Sequence, residues 1–294
     1  MTISRRRFLS TLGCLLVGGT ALRTADAQAP DLDSYRLPER TLGATGLRCS
    51  LLGIGTGTNG WGGRSAQTEL GRRELVSLLE YAHDRGVTFF DLADQYGSHG
   101  HMRAALTSGG GTIPREKVFI LTKTHARTAA EMRADLDRFR KEIGTDRLDV
   151  VLLHCEVSAD WNVSHRGAMD VLSEAKANGI VGAHGVSCHS LGALRTAARE
   201  PWVEVDLARL NPWERQMDGD LETVKSVLGE FRERGAGVIG MKILAAGAIR
   251  GAADVEEGIR HAIECGLLDC LTVGMRSRAE LDQLLRVVAS VQET

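Results

Sequence analysis

The chain has 294 residues, with 36 Lys and Arg against 38 Asp and Glu and a formal net charge of −2. At 43% hydrophobic and 25% charged it can fill a sizeable core, and no basic stripe marks it as a nucleic-acid partner. No apolar run beyond the first residues approaches the roughly 20 needed to span a bilayer.

The first residues read as an address. Ser4-Arg5-Arg6-Arg7-Phe8-Leu9 is a basic start with a twin-arginine pattern, Phe8 to Leu22 is mildly apolar, and Ala25-Asp26-Ala27 is a small-x-small cleavage site. These features predict a twin-arginine signal peptide over 1–27, read by the twin-arginine translocation machinery, and a periplasmic or otherwise exported product. An uncleaved anchor is the alternative, although the apolar run is short for a span. Residues 28–38 read as a linker, and 39–294 as one domain close to the roughly 250 residues usual for an α/β barrel. Apart from Cys14 the cysteines are Cys49, Cys155, Cys188, Cys265 and Cys270. Their odd number and the lack of a Cys-x-x-Cys fit small buried hydrophobes better than a disulfide scaffold, with Cys265–Cys270 the one conceivable pair.

Arg40 to Ser50, with Gly43 and Gly46 flanking a turn, predicts a short β-hairpin. After it, apolar runs alternate with helical patterns. The strand candidates are Leu51–Gly55, Thr88–Asp91, Val118–Lys123, Leu148–His154, Val181–Ser187, Val205–Leu210, Gly237–Lys242 and Cys270–Val273. Between them, Leu75, Leu78, Leu79 and Ala82 share a helix face, as do Met132, Leu136, Phe139 and Ile143, and later Leu281, Leu284, Leu285 and Val288. Strands apolar on both faces and separated by helices predict a parallel sheet covered on both sides. About eight such units, with no Gly-rich dinucleotide fingerprint after the first strand, predict a single-domain α/β fold of the (β/α)8 TIM-barrel type.

Three of the runs stop at an ionisable residue: Phe89-Phe90-Asp91, Leu121-Thr122-Lys123 and Leu152-Leu153-His154, with Tyr96 just beyond the first. Strand pleating gives each ionisable residue the same face as the apolar residue two before it, so Asp91, Lys123 and His154 should rim one barrel mouth. An acid, an ammonium, an imidazole and a phenol together suit proton transfer. Lys123 would bring the Tyr96 pKa down, Asp91 would hold the lysine, and His154 would orient a substrate oxygen. His99 and His101 with His154 could suggest a metal, but residues two apart at a helix start do not face each other, so no metal is implied. His184 is expected to pack outward and His189 to start a helix. Trp61, Trp161 and Trp213, in loops after strands, are candidates for an aromatic substrate wall.

Asp91-Leu92-Ala93-Asp94-Gln95-Tyr96-Gly97, Thr122-Lys123, Arg147 to His154, and Asn178 to Ser187 together resemble the signature elements of the aldo-keto reductase family. The hairpin and Val273-Gly274-Met275-Arg276-Ser277 resemble it too. The resemblance implies a catalytic tetrad of Asp91, Tyr96, Lys123 and His154, with Tyr96 as general acid/base. It also implies an NADP(H) cofactor, with NAD possible, near Ser187, Cys188, Lys242, Arg276 and Ser277. Cys188 stands where the family usually has Asn, and Leu207 where it has Gln. Three readings stay open: a reversible NADPH-linked reductase of an aldehyde or ketone, a barrel enzyme using the same site without dissociable nicotinamide, and a non-catalytic binding protein on that scaffold.

Overall fold

The computed structural model describes residues 31–292; the expected signal peptide lies outside the described residues. Two short strands, β1 (Glu39–Thr41) and β2 (Arg48–Ser50), pair antiparallel as the predicted hairpin. Eight further strands close a parallel barrel: β3 (Leu52–Gly55), β4 (Phe89–Asp91), β5 (Phe119–Thr124), β6 (Leu148–Glu156), β7 (Val181–Cys188), β8 (Val205–Arg209), β9 (Gly237–Met241) and β10 (Cys270–Gly274). β10 completes the ring by pairing with both β3 and β9.

The helices of the outer layer are α1 (Arg72–Asp84), α2 (His99–Ala105), α3 (Ala129–Ile143), α4 (Trp161–Ser164), α5 (Arg166–Ala177), α6 (Leu191–Arg199), α7 (Leu221–Glu233), α8 (Ala252–Glu264) and α9 (Arg278–Gln292). The three predicted apolar stripes on α1, α3 and α9 are buried. Local chemistry sets helix ends: Thr128 and Glu131 form a reciprocal capping box on α3, and Gly144 closes it in the left-handed region at φ 77°. None of the described helices is long and apolar enough to cross a membrane.

Two apolar clusters follow from the pleat. One lies between the barrel and its helices. The other fills the barrel and includes Phe89, Phe119, Leu121, Leu152, Leu207 and Ile239. The hairpin closes this inner cluster: Leu42 and Cys49 pack into it, Ala44 N–H donates to Gly235 O at 2.8 Å, and Gly43 N–H donates to Asp269 Oδ2 at 3.0 Å. Gly43 must be glycine, because its φ is 49° and a Cβ there would sit 2.4 Å from the Gly237 nitrogen. No disulfide forms among the described cysteines: Cys265 lies apart at the end of α8, and Cys270 Sγ is 3.7 Å from Cys49 Sγ.

Leu42→Ala should leave a hole in the stopper and cost about 2–5 kcal/mol of unfolding free energy, as buried leucine truncations do. Urea unfolding at neutral pH measures it. A loss under about 1 kcal/mol would mean the hairpin contributes little to closing the barrel.

Candidate active site

The mouth opposite the hairpin is built from strand ends. Asp91 ends β4 and Lys123 lies one residue before the end of β5, both with side chains turned to the mouth, and the two form a buried ion pair. Lys123 is fully buried and also donates to the Leu92 carbonyl oxygen at 2.9 Å, while Thr272 of β10 donates to the second Asp91 oxygen at 3.2 Å. Burial pulls the Lys123 pKa down, against the pull of Asp91.

Tyr96 sits in a 3-10 turn over residues Asp94–Tyr96 that follows β4. The loop after β3 is moulded to its ring. A Cβ on Gly57 would lie 2.1 Å from Tyr96 Cε2, and one on Gly60 would lie 2.3 Å from Cδ1, so only glycine lets this backbone approach. On another side the Lys123 amine stands 4.9 Å from the ring centroid, a cation–π contact. The phenol oxygen is 3.4 Å from His154 Nε2. The expectation of a lowered Tyr96 pKa is therefore corrected. The amine meets the ring face, and burial, with Asp91 and Cys155 adding to it, pushes the phenol well above its usual range.

His154 is 3% exposed, and burial, Lys123 and the neighbouring His125, His189 and Arg127 hold it well below its ordinary pKa. Its strand runs two residues further than the sequence suggested. A register shift between Leu153 and Glu156 puts Cys155 in the left-handed region at φ 59° and turns the thiol toward His189, with Sγ 3.7 Å from Nε2. The His125 ring stacks on His154 at 4.9 Å. Arg127 pairs with the buried Glu156 at 3.0 Å and donates to the His154 carbonyl oxygen at 3.1 Å.

Sequence reasoning missed His125, although it follows Lys123 by two and shares its face. It also set aside His189, whose neighbour Ser190 is the cap of α6. By contrast, both nitrogens of His99 are taken, by Glu142 at 2.7 Å and Thr122 at 2.8 Å, and His101 meets Gly97 O, so this pair belongs to packing. His184 stacks flat on Trp202 at 4.4 Å, outside the barrel.

A protein-family model described as the Aldo/keto reductase family matches residues 52–291, the whole barrel. The chain belongs to the aldo/keto reductase family. This is a family of oxidoreductases that use nicotinamide cofactors. The chain is 28% identical over 225 residues to "Probable aldo-keto reductase 1" of Glycine max, covering 73% of this chain and 62% of that protein. It is 26% identical over 192 residues to a D-threo-aldose 1-dehydrogenase of a Pseudomonas species, covering 55% and 57%. The aligned part therefore spans about six-tenths of the length of these curated relatives. A Bombyx mori aldo-keto reductase solved in complex with NADP shares the fold with a TM-score of 0.67 at 15% identity, over 88% of this chain and 93% of that one.

The barrel meets the expected cofactor side unevenly. Ser187 Oγ, at the end of β7, is fully buried without a hydrogen-bond partner among the described residues, an orphan that a bound carboxamide would satisfy. Lys242 follows β9 at φ 55° with its amine 3.3 Å from Gln216 Oε1. Arg276 and Ser277 precede α9 with exposed side chains, where a helix N-terminus favours phosphate. These positions fit a nicotinamide dinucleotide. Cys188 does not. It packs in the outer cluster beside the buried Asp206, because one more residue along β7 reverses the side chain. Leu207 is barrel filling. Asn211, unnoticed in sequence, is buried and ties the loop after β8 to β9 through Arg215 O at 2.8 Å and Lys242 O at 3.2 Å.

The tryptophans divide. Trp61 lies in the loop that cups Tyr96 and is 77% exposed. Trp213 is half-buried, and a Cβ on Gly258 of α8 would lie 3.1 Å from its ring. Trp161 is fully buried in the outer layer, donates to Ala193 O at 3.3 Å and packs near Trp202, so it is no pocket wall.

Burial holds His154 far below 6.5 and takes His189 down to about 3. As pH falls below 6.5 the unfolded chain binds protons that the native rings refuse. Stability present above that pH should therefore be lost on acidification, by at most about 1.4 kcal/mol per pH unit per ring. Urea unfolding between about pH 7 and pH 5 tests this, and His189→Gln should flatten the slope. A pH-independent unfolding free energy would mean the native rings take up protons as readily as those of the unfolded chain.

Proposed function

We propose that the barrel catalyses reversible reduction of an aldehyde or ketone with hydride from NADPH, and that Tyr96 is the general acid/base. One observation carries the reading: a half-buried phenol and an imidazole nitrogen stand 3.4 Å apart at the mouth, so one carbonyl oxygen can meet both. Ser187, Lys242, Arg276 and Ser277 would hold the cofactor, which supplies a hydride when bound.

The raised Tyr96 pKa keeps the phenol protonated at neutral pH, the state a proton donor needs. Tyr96 O–H donates to the substrate oxygen as negative charge gathers there, and neutral His154 donates from Nε2 to orient the same atom. The phenolate that remains is met by the Lys123 ammonium over its ring, and Asp91 and the Leu92 carbonyl keep that ammonium in place. With the phenol pKa raised, little phenolate is present at neutral pH to take the alcohol proton, so alcohol oxidation should strengthen with rising pH while reduction varies little through neutrality.

Tyr96→Phe keeps the ring and its glycine cradle but removes the proton. Reduction should fall about 10²–10⁴-fold, while NADPH affinity, followed by nicotinamide fluorescence, stays nearly unchanged. Equal turnover in both proteins would remove Tyr96 from the mechanism. A folded protein that binds neither NADPH nor NADH would instead support the cofactor-free or binding-protein reading.

We also propose export of the folded enzyme by the twin-arginine route, motivated by Arg5, Arg6 and Arg7 ahead of an apolar run and a small-residue cleavage site. Fractionation should find a shortened chain outside the cytoplasm, and replacing Arg5, Arg6 and Arg7 by Lys should retain it inside. Retention of the unaltered chain in the cytoplasm would refute export.

A further inference from the structure

The end of β6 carries a thiol, Cys155, that carbonyl reduction does not use. In a regular strand His154 and Cys155 would point to opposite faces. The bulge between Leu153 and Glu156 breaks that alternation and brings the thiol to the mouth, at the cost of a left-handed cysteine backbone at φ 59°. Such a conformation costs on the order of 1–3 kcal/mol and persists where the surroundings demand it. Its consequence is a convergence of nitrogen and sulfur donors from three adjacent strand ends. One donor atom each from His125, His154 and Cys155 lies within 4.8 Å of the others, and His189 Nε2 is 3.7 Å from the same sulfur.

We propose that His125, His154, Cys155 and His189 form a site for one borderline-soft divalent transition ion, of which Zn²⁺ is the type. Zinc takes imidazole nitrogen at about 2.0–2.1 Å and thiolate sulfur at about 2.3 Å, which sets donors of a tetrahedron with one sulfur roughly 3.3–3.6 Å apart. The thiol–His189 separation, 3.7 Å, is already close to that range. The donors of His125, His154 and Cys155, within 4.8 Å of one another, need shifts of about an ångström, and His125, the exposed member, must rotate off its stack on His154 to make them.

Two further features suit an ion. His154 Nδ1 is buried without a partner among the described residues, although its other nitrogen faces Tyr96. Gln95 Oε1 lies 2.8 Å from His125 Nε2 and can accept its proton, which leaves the Nδ1 lone pair free to bind, in the manner of outer partners that orient ligating imidazoles. A set of imidazoles and a thiolate selects Zn²⁺, Co²⁺ or Cu²⁺ over Mg²⁺ and Ca²⁺, which prefer oxygen. On binding, the Cys155 S–H bond breaks, the proton leaves to buffer, and the sulfur lone pair forms the bond to the ion. No electron changes hands.

Cobalt titration of the chelator-treated full chain, without substrate or nucleotide, tests the site separately from the reductase assignment. One Co²⁺ per chain should produce tetrahedral visible absorption and a near-ultraviolet thiolate-to-metal band, and Zn²⁺ should displace it. Cys155→Ser should abolish the thiolate band, and His189→Asn should weaken Co²⁺ binding by at least about tenfold. Absence of the band in the unaltered protein would overturn the proposal, as would an undiminished band in folded Cys155→Ser.

Discussion

The site rests on a charge placed where water cannot reach it. Lys123 is wholly inside the barrel, and an isolated ammonium there would cost several kcal/mol. Its neighbours offset that cost on each side: the Asp91 carboxylate, the Leu92 carbonyl oxygen and the π-face of Tyr96. Thr272 in turn ties the second carboxylate oxygen to the strand that closes the ring. Removing any one partner would leave a charge or a lone pair stranded in low dielectric, so the positions of Asp91, Lys123 and Tyr96 are mutually enforced. Glycines at 57 and 60 complete the enclosure by letting backbone approach the ring where a side chain could not.

The two barrel ends divide the work. The hairpin seals one end with Leu42 and Cys49, which join the apolar cluster that fills the barrel. At the other end the same strands run past the core and release polar side chains into the mouth. The β6 bulge adds to that population by turning Cys155 inward beside His125, His154 and His189. Held neutral by burial, His154 and His189 are hydrogen-bonding groups and lone-pair donors rather than cations. A phenol, neutral imidazoles and a buried ammonium within one mouth underlie the proposals of proton transfer on one side of His154 and metal ligation on the other.

Much of this was legible residue by residue. Every strand candidate became a barrel strand within a residue or two at its ends, because buried parallel strands and amphipathic helices write different periods into sequence. The stripes on α1, α3 and α9 are local facts and held as such. Asp91, Lys123 and His154 were readable because pleating fixes a side chain's face once the strand is known. Cys188 and Trp161 went astray for a related reason. Cys188 does not share the face of its neighbour Ser187, and α4 turns Trp161 out of its loop to lie under the helices.

The sequence by itself determined the period of each element, hence the barrel, and the faces on which the ionisable strand-end residues stand. Those follow from steric rules acting over a few neighbouring residues. Only the closed tertiary structure decided that the lysine amine meets the ring of Tyr96 rather than its oxygen. It alone decided that the phenol proton is held more tightly, and that a bulge gathers Cys155 with three histidines from separate strands. These depend on burial and on distances between residues far apart in the chain, and no local pattern encodes either.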